Sequence, residues 1–191
     1  MFELLGRWLR PGLLLSGMGL LVGGAALAYM EVFEPVPVVW ALPLLGIAVG
    51  LIAGAGAFVG LHQRLALQAP RLAMTTTILA SLTMVATLVT AAPVLAAMAQ
   101  GALPGGIAVL GFPVAVLGFM ATVSLVSIAA FITEVLPRPA AGALVLATAL
   151  TLVLLLYVLA TGEVSAVLMV AVLVVWGLAL TWSSRVVPQE A

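Results

Sequence analysis

Six long apolar runs separated by short connections constrain this chain more than any other feature. The runs extend approximately over Leu13–Met30, Val36–Leu61, Leu72–Ala99, Gly105–Thr133, Ala140–Thr161 and Val164–Trp182. A transmembrane helix needs about 20 predominantly apolar residues. A membrane β-barrel instead needs short segments in which apolar and polar residues alternate, and these runs are apolar on every face. The sequence therefore predicts an all-α membrane bundle of six transmembrane helices.

The composition indicates that lipid is the solvent for most of the chain. Of the 191 residues, 65% are hydrophobic and only 6% are charged, whereas about 25% of the residues in a soluble domain are charged. So few charges could not cover a surface that faces water, so most of the chain must face lipid. We expect residues 1–191 to form a single polytopic membrane domain. The bias toward Ala, Gly, Val, Leu and Arg is typical of a GC-rich prokaryotic genome, so we expect a prokaryotic plasma membrane protein.

All the arginines fall in terminal segments or connections on one side of the six runs. These topology anchors are Arg7, Arg10, Arg64, Arg71, Arg138 and Arg185. The connections on the other side, around residues 31–35, 100–104 and 162–163, contain no basic residue. Because cytoplasmic loops carry the excess of Lys and Arg, we expect both termini to lie in the cytoplasm.

The first residues of the chain carry an amphipathic pattern. Over residues 2–10, apolar side chains such as Leu5 and Trp8 share one helical face, while Arg7 and Arg10 share the other. This pattern is typical of a helix that lies in the headgroup layer. We expect Pro11 to end that helix before the first span begins.

Small residues predict how the first two spans meet. Helices in lipid gain no hydrophobic drive from contact with each other, so small residues that allow close approach mark their interfaces. Such residues recur on one face of each span, at Gly19 and Gly23 in the first and at Gly46, Gly50 and Gly54 in the second. We therefore expect the two spans to pack as an antiparallel hairpin. Trp176 lies deep in the last run, and we expect it to pack inside the bundle, with an indole that faces a ligand as the alternative.

A stripe of hydroxyl side chains follows the third span. Its members are Thr76, Thr83, Thr87 and Thr90, and Ser124 and Ser127 on the fourth span are the expected partners. Threonine hydroxyls can bond the carbonyl one turn earlier or reach a neighbouring helix. The stripe is therefore either a polar seam between helices or the lining of a path for a small solute.

The residues needed for most catalytic and cofactor chemistry are missing from the sequence. The chain has no Cys and one His, and its charged residues lie at or beyond the ends of the runs. An ionisable residue at mid-membrane would indicate a proton or ion pathway, and zinc sites need clustered ligands. A net charge of zero provides no attraction to nucleic acid. We expect no enzymatic activity, no cofactor, no metal and no nucleic-acid partner.

His62 is the one residue that leaves a ligand site open. It lies in the segment GLHQRLALQAPRLAM, at the end of the second run and close to Arg64 and Arg71. The arginine pattern favours a cytoplasmic turn, with Pro70 at the start of the next helix. The alternative is that His62 binds a haem or metal.

Two connections carry a resemblance. The segment HQRLALQAPRLA and the turn LPRPAAG at Leu136–Gly142 resemble loops of small, uncharacterised multi-span prokaryotic membrane proteins. This resemblance implies the architecture and no activity. In size and span count alone, the chain is also similar to the substrate-binding subunits of energy-coupling-factor vitamin transporters.

These observations leave two functional hypotheses. The first is a non-catalytic accessory or scaffold subunit, with the lipid bilayer and other membrane subunits or a second copy of the chain as partners. The second is a passive channel or carrier for a small neutral or apolar solute, including a substrate-binding transporter subunit. A third, an enzyme acting on lipid or quinone, has the least support because no acid–base pair can be named.

Overall fold

The computed structural model describes residues 8–33, 41–100, 107–161 and 166–187. Every regular element in these ranges is an α-helix. The helices are α1 (Leu9–Val32), α2 (Ala41–Gly60), α3 (His62–Gln68), α4 (Pro70–Ala99), α5 (Ile107–Thr133), α6 (Arg138–Thr161) and α7 (Ala166–Val186). Their bounds follow the six predicted apolar runs closely, with α3 as an additional short helix.

Five of these helices are long and apolar enough to cross a membrane. They are α1, α2, α4, α5 and α7, while α6 provides a shorter apolar stretch at Arg138–Val153. Large apolar side chains point outward on all six long helices, for example Met18, Val49, Leu82, Ile128, Leu146 and Leu178. Because a water-soluble protein does not expose apolar surface on this scale, the fold is that of a multi-pass membrane protein.

The six long helices form a closed ring. Each contacts the next in the order α1, α2, α4, α5, α6 and α7, and α7 returns to contact α1. Helix α2 also contacts α5 across the bundle. The extensive α1–α7 contact, which closes the ring, was not predicted from the sequence.

Adjacent helices run antiparallel where their contacts define a direction. The start of α1 meets the end of α2, because Gly12 lies against Ala53 and Ala57. The start of α6 meets the end of α7, where Ser183 donates to the Ala140 carbonyl at 3.5 Å. One end of the bundle therefore carries the described arginines, Arg10, Arg64, Arg71, Arg138 and Arg185, and we call it the basic end.

Helix α1 begins earlier than predicted. Pro11 does not end a helix but lies in the first turn of α1, where its missing N–H removes no intrahelical bond. The turn is closed by the Gly12 N–H, which donates to the Trp8 carbonyl at 2.7 Å. Leu9 and Arg10 consequently belong to α1. Residues 2–7 of the predicted interfacial helix, which include Arg7, lie outside the described residues.

The connection after α2 is helical rather than a simple turn. Helix α3 follows Leu61, whose N–H donates to the Phe58 carbonyl at 3.1 Å, so the chain changes direction without leaving helical backbone. Leu61 and Leu65 are fully buried and fix α3 to the bundle. Pro70 begins α4, as the sequence predicted.

Candidate functional site

The threonine stripe is the buried face of α4. Thr76 and Thr87 are 0% exposed, and Thr83 and Thr90 are 2% exposed. Ala80 and Val94, which are also buried, continue the same face. The spacing of three and four residues places the whole set on one side of the helix, toward its neighbours.

Each of these hydroxyls is bonded within its own helix. The Oγ1 atoms of Thr76, Thr83, Thr87 and Thr90 donate to carbonyls four residues earlier at 2.9, 2.8, 2.7 and 2.7 Å. A hydroxyl bonded in this way has no hydrogen left for a neighbouring helix or a solute. The near-zero exposure of the four side chains also shows that they are covered by neighbouring groups.

Ser124 and Ser127 do not pair with the stripe. Ser127 is buried and donates to the Val123 carbonyl at 2.6 Å, while the partly buried Ser124 donates to the Met120 carbonyl at 2.7 Å. Neither serine hydroxyl therefore donates to the threonines that were expected as its partners. A short serine side chain reaches the carbonyl one turn earlier in its own helix more readily than a group on a neighbouring helix.

The contact between α4 and α5 depends on a glycine that the sequence analysis did not identify. A Cβ atom at Gly118 would lie 2.9 Å from the Thr83 Oγ1. Thr122, one turn later on α5, is also fully buried and donates to the Gly118 carbonyl at 2.8 Å. The α4–α5 seam is thus closed by contact between hydroxyl-bearing and backbone surfaces. Among the side chains that the structure describes, each seam hydroxyl donates to its own helix.

Three aromatic side chains pack together in the interior of the helix bundle. The ring centroid of Phe119 on α5 lies 6.2 Å from that of Phe58 on α2 and 6.5 Å from that of Trp176 on α7. All three side chains are at most 3% exposed. These distances and the edge-on geometry of the Phe119–Trp176 pair are typical of stabilising aromatic contacts. Trp176 therefore packs inside the bundle, as expected.

The indole of Trp176 also makes a polar contact. Its Nε1–H donates to the Thr151 Oγ1 on α6 at 2.8 Å, and this hydroxyl donates to the Ala147 carbonyl at 2.9 Å. Thr151 is 7% exposed. The chain of bonds satisfies the only polar group of a buried indole, and the spacing of α6 gave no signal that would have indicated Thr151.

Helix α1 contacts its two neighbours through glycine. On the α2 side, a Cβ at Gly19 would lie 2.7 Å from the Gly46 carbonyl oxygen, and one at Gly46 would lie 2.8 Å from the nitrogen of Gly23. On the α7 side, a Cβ at Gly17 would lie 2.7 Å from the Gly177 carbonyl oxygen. The backbone of α1 therefore touches that of its neighbour at both interfaces. The sequence analysis identified only the α1–α2 interface.

The remaining glycines of the predicted α2 stripe serve two interfaces. Gly50 lies against Leu20 and the Ser16 carbonyl, and the Gly50 carbonyl accepts a bond from the Ser16 hydroxyl at 2.7 Å. Gly54 faces both Ser16 and Phe119. Gly54 therefore gives room to the central aromatic rings as well as to α1.

His62 holds α3 against α4. Its Nδ1 lies 2.7 Å from the Thr77 Oγ1 and 3.2 Å from the Ala73 carbonyl oxygen. Because the Thr77 hydroxyl donates to the same Ala73 carbonyl at 2.8 Å, the consistent assignment is that Nδ1–H donates to both oxygens. Among the described residues, no group of three or more His, Cys, Asp or Glu could hold a metal ion.

The connection between α5 and α6 is ordered by three side chains. Glu134 adopts a positive φ of 55° after the last turn of α5. Its carboxylate accepts bonds from Nε and Nη2 of Arg138 at 3.1 and 2.5 Å, with both side chains well exposed. Leu136 is 1% exposed and fixes the turn to the bundle. This exposed ion pair joins the end of α5 to the start of α6.

No family model, curated protein or solved structure matches the chain. The resemblance carried by the two basic connections therefore stays a prediction, and the case for function depends on the geometry described above.

Proposed function

We propose that the protein is a non-catalytic integral membrane protein with six spans, acting as an accessory or scaffold subunit of a membrane assembly. The observation that carries this proposal is the α4–α5 seam, where the buried hydroxyls donate to their own helix. A group that recognises a polar substrate must be free to exchange hydrogen bonds with it. Because the stripe is bonded and covered, its role is to let two helices approach, which is structural.

The proposed topology places the basic end and both termini in the cytoplasm of a prokaryotic cell, with α6 as the sixth span. Two features support it. Helix α6 lies between α5 and α7 in the ring of helices. The described arginines share one end of the bundle. Reporter fusions provide the test, since a fusion at Gln189 should be cytoplasmic and one at Gly162 should lie outside. A cytoplasmic signal at Gly162 would contradict the sixth span.

The scaffold role predicts that some outward-facing residues contact protein rather than lipid. Helices α4 and α6 expose long apolar faces, at Leu82 and Val85 on α4 and at Leu146 and Val153 on α6. A photo-crosslinking residue placed in living cells at each position should give a defined protein adduct on at least one face. Ala147, which is 1% exposed, is the matched buried control. Lipid adducts alone at all four positions, together with isolation as a monomer, would contradict the scaffold role.

The alternative is a passive channel or carrier for a small neutral or apolar solute, including a substrate-binding transporter subunit. The hydroxyls of Thr83, Thr87 and Thr90, which follow one another along one face of α4, are the observation that favours it. This function requires α4 and α5 to separate, which would expose the hydroxyl oxygens as acceptors. Solute flux into proteoliposomes should then fall for Thr83→Val with Thr87→Val. Flux that is equal for this variant and the unaltered protein would remove the basis of the carrier hypothesis.

A further inference from the structure

The α1–α7 interface has a register that can be followed to the basic end of the bundle. Gly17 lies against Gly177 and Thr181, while Gly24 lies against Leu173. The residue numbers rise on one helix as they fall on the other, so the helices are antiparallel. The start of α1 and the end of α7 consequently meet at the basic end.

Two arginines belong to this interface. Arg10 precedes Gly17 by seven residues, which is close to two turns, so it lies on the α1 face that contacts α7. Arg185 follows Thr181 by four residues and continues the α7 face that contacts α1. Arg10 is partly buried and Arg185 is exposed. The two cationic side chains therefore emerge at the same end of one interface.

Neither arginine has a carboxylate partner among the described residues. The Glu134 carboxylate at the basic end is bonded to Arg138, on the connection between α5 and α6. Two guanidinium groups at one interface repel each other unless an anion lies between them. A phosphodiester matches this arrangement, because its oxygens accept the paired N–H donors of guanidinium.

The surroundings of the two arginines favour a lipid as the source of the phosphodiester. Trp182 is 46% exposed and lies within one turn of Arg185, while Trp8, which is 42% exposed at the same end of the bundle, lies against Gly56 of α2. Tryptophan is enriched at the depth of the lipid headgroups. Toward the middle of α1, Leu14 and Met18 are exposed apolar side chains that an acyl chain can contact.

We propose that the basic end of the α1–α7 interface binds the headgroup phosphate of an anionic phospholipid between Arg10 and Arg185, with Trp182 beside it. The site discriminates by charge, because a zwitterionic headgroup brings a cation close to the same two arginines. It is independent of whether the protein acts as a scaffold or as a carrier.

The test measures lipid retention by the purified full chain. Native mass spectrometry of protein released from bilayers of phosphatidylcholine with a minor fraction of phosphatidylglycerol gives the ratio of the two lipids bound. The unaltered protein should be enriched in phosphatidylglycerol. Arg10→Gln with Arg185→Gln should lower the enrichment about tenfold, because each basic residue at an anionic surface adds to the affinity. Each single variant should lose part of it.

Control variants separate this site from general attraction to the bilayer. Arg64→Gln with Arg71→Gln removes the same charge from the same end and should leave the enrichment within about twofold of the unaltered value, since those arginines lie away from the interface. Arg10→Lys with Arg185→Lys keeps both charges and should retain most of the enrichment. An equal loss in both Gln pairs, or no loss in the Arg10 and Arg185 pair, would overturn the proposal.

Inorganic phosphate distinguishes a lipid site from a simple anion site. Excess phosphate added before release should leave the bound phosphatidylglycerol in place, because the acyl chains and Trp182 contribute to its binding. Complete displacement of the lipid by phosphate would show that the arginines recognise the anion alone, and the lipid assignment would then be wrong.

Discussion

The Trp176 indole N–H donates to the Thr151 hydroxyl at 2.8 Å and joins α7 to α6 inside the bundle. The same indole meets Phe119 of α5 edge-on, so one side chain of α7 links it to two other helices. Helix α6 has no glycine-mediated backbone contact with α7 of the kind that α1 makes, and Gly142 on α6 has open space around its Cβ position. The Trp176–Thr151 bond is therefore a specific constraint on where α6 sits.

Thr151→Val should destabilise the bundle through this bond. The substitution keeps the shape of the side chain and leaves the buried indole N–H without an acceptor, which costs about 1–3 kcal/mol. Thr151→Ser retains the acceptor and should cost less. The midpoint of thermal unfolding in a fixed detergent measures the effect. If the bond is the cause, Trp176→Phe should cancel most of the additional loss from Thr151→Val in a double variant.

Gly46→Ala should separate α1 from α2. The new Cβ would lie 2.8 Å from the backbone of both Gly19 and Gly23, and backbone cannot move aside as a flexible side chain can. Overpacking of this kind costs about 1–3 kcal/mol. Gly142→Ala is the matched control, because nothing lies within 4 Å of its Cβ position.

The control should raise stability by about 0.5–1 kcal/mol, since alanine is a better helix former than glycine. Thermal unfolding of both variants in the same detergent gives the comparison. Equal behaviour of Gly46→Ala and Gly142→Ala would show that the α1–α2 contact tolerates a methyl group and that the close approach is unimportant.

The helix positions and the α1–α2 interface could be predicted from the sequence, because both depend on local patterns. Apolar length defines a span, and glycines four residues apart on neighbouring spans bring Gly19 to Gly46. The α1–α7 contact depends on Gly17, which lies two residues from Gly19 but on another face of α1, and on Gly177, the only glycine of α7. Nothing in either helix alone indicates that the two will be adjacent.

Hydrogen bonding was harder to predict than packing. The threonine stripe of α4 was identified by its period, and burial follows from that period. Which oxygen each hydroxyl bonds is a choice between a carbonyl one turn away and a partner on another helix, and sequence spacing permits both. Thr76 and Ser127 take the local carbonyl, whereas Ser16 donates across to Gly50 because glycine brings that carbonyl close.

Thr87→Val should change stability by less than about 1 kcal/mol, since its hydroxyl donates only to the Thr83 carbonyl of its own helix. That carbonyl remains an acceptor for the backbone N–H of the next turn, so no buried group is orphaned. Thr87→Leu at the same fully buried position should be clearly worse because it adds volume. Thermal unfolding distinguishes the two. A large loss for Thr87→Val would mean that the hydroxyl bonds across the seam.

Glu134→Gly should stabilise the connection between α5 and α6. Glu134 has a φ of 55°, and a left-handed backbone costs a residue with a side chain roughly 1–2 kcal/mol. The substitution also removes the exposed pair with Arg138, which contributes only about 0.3–0.5 kcal/mol. We therefore expect a net gain of roughly 0.5–1.5 kcal/mol in unfolding free energy. Glu134→Ala is the control, since it removes the same ion pair and keeps the strained backbone, and its midpoint of thermal unfolding should fall slightly. If glycine and alanine lower the midpoint equally, the ion pair outweighs the backbone strain at this turn.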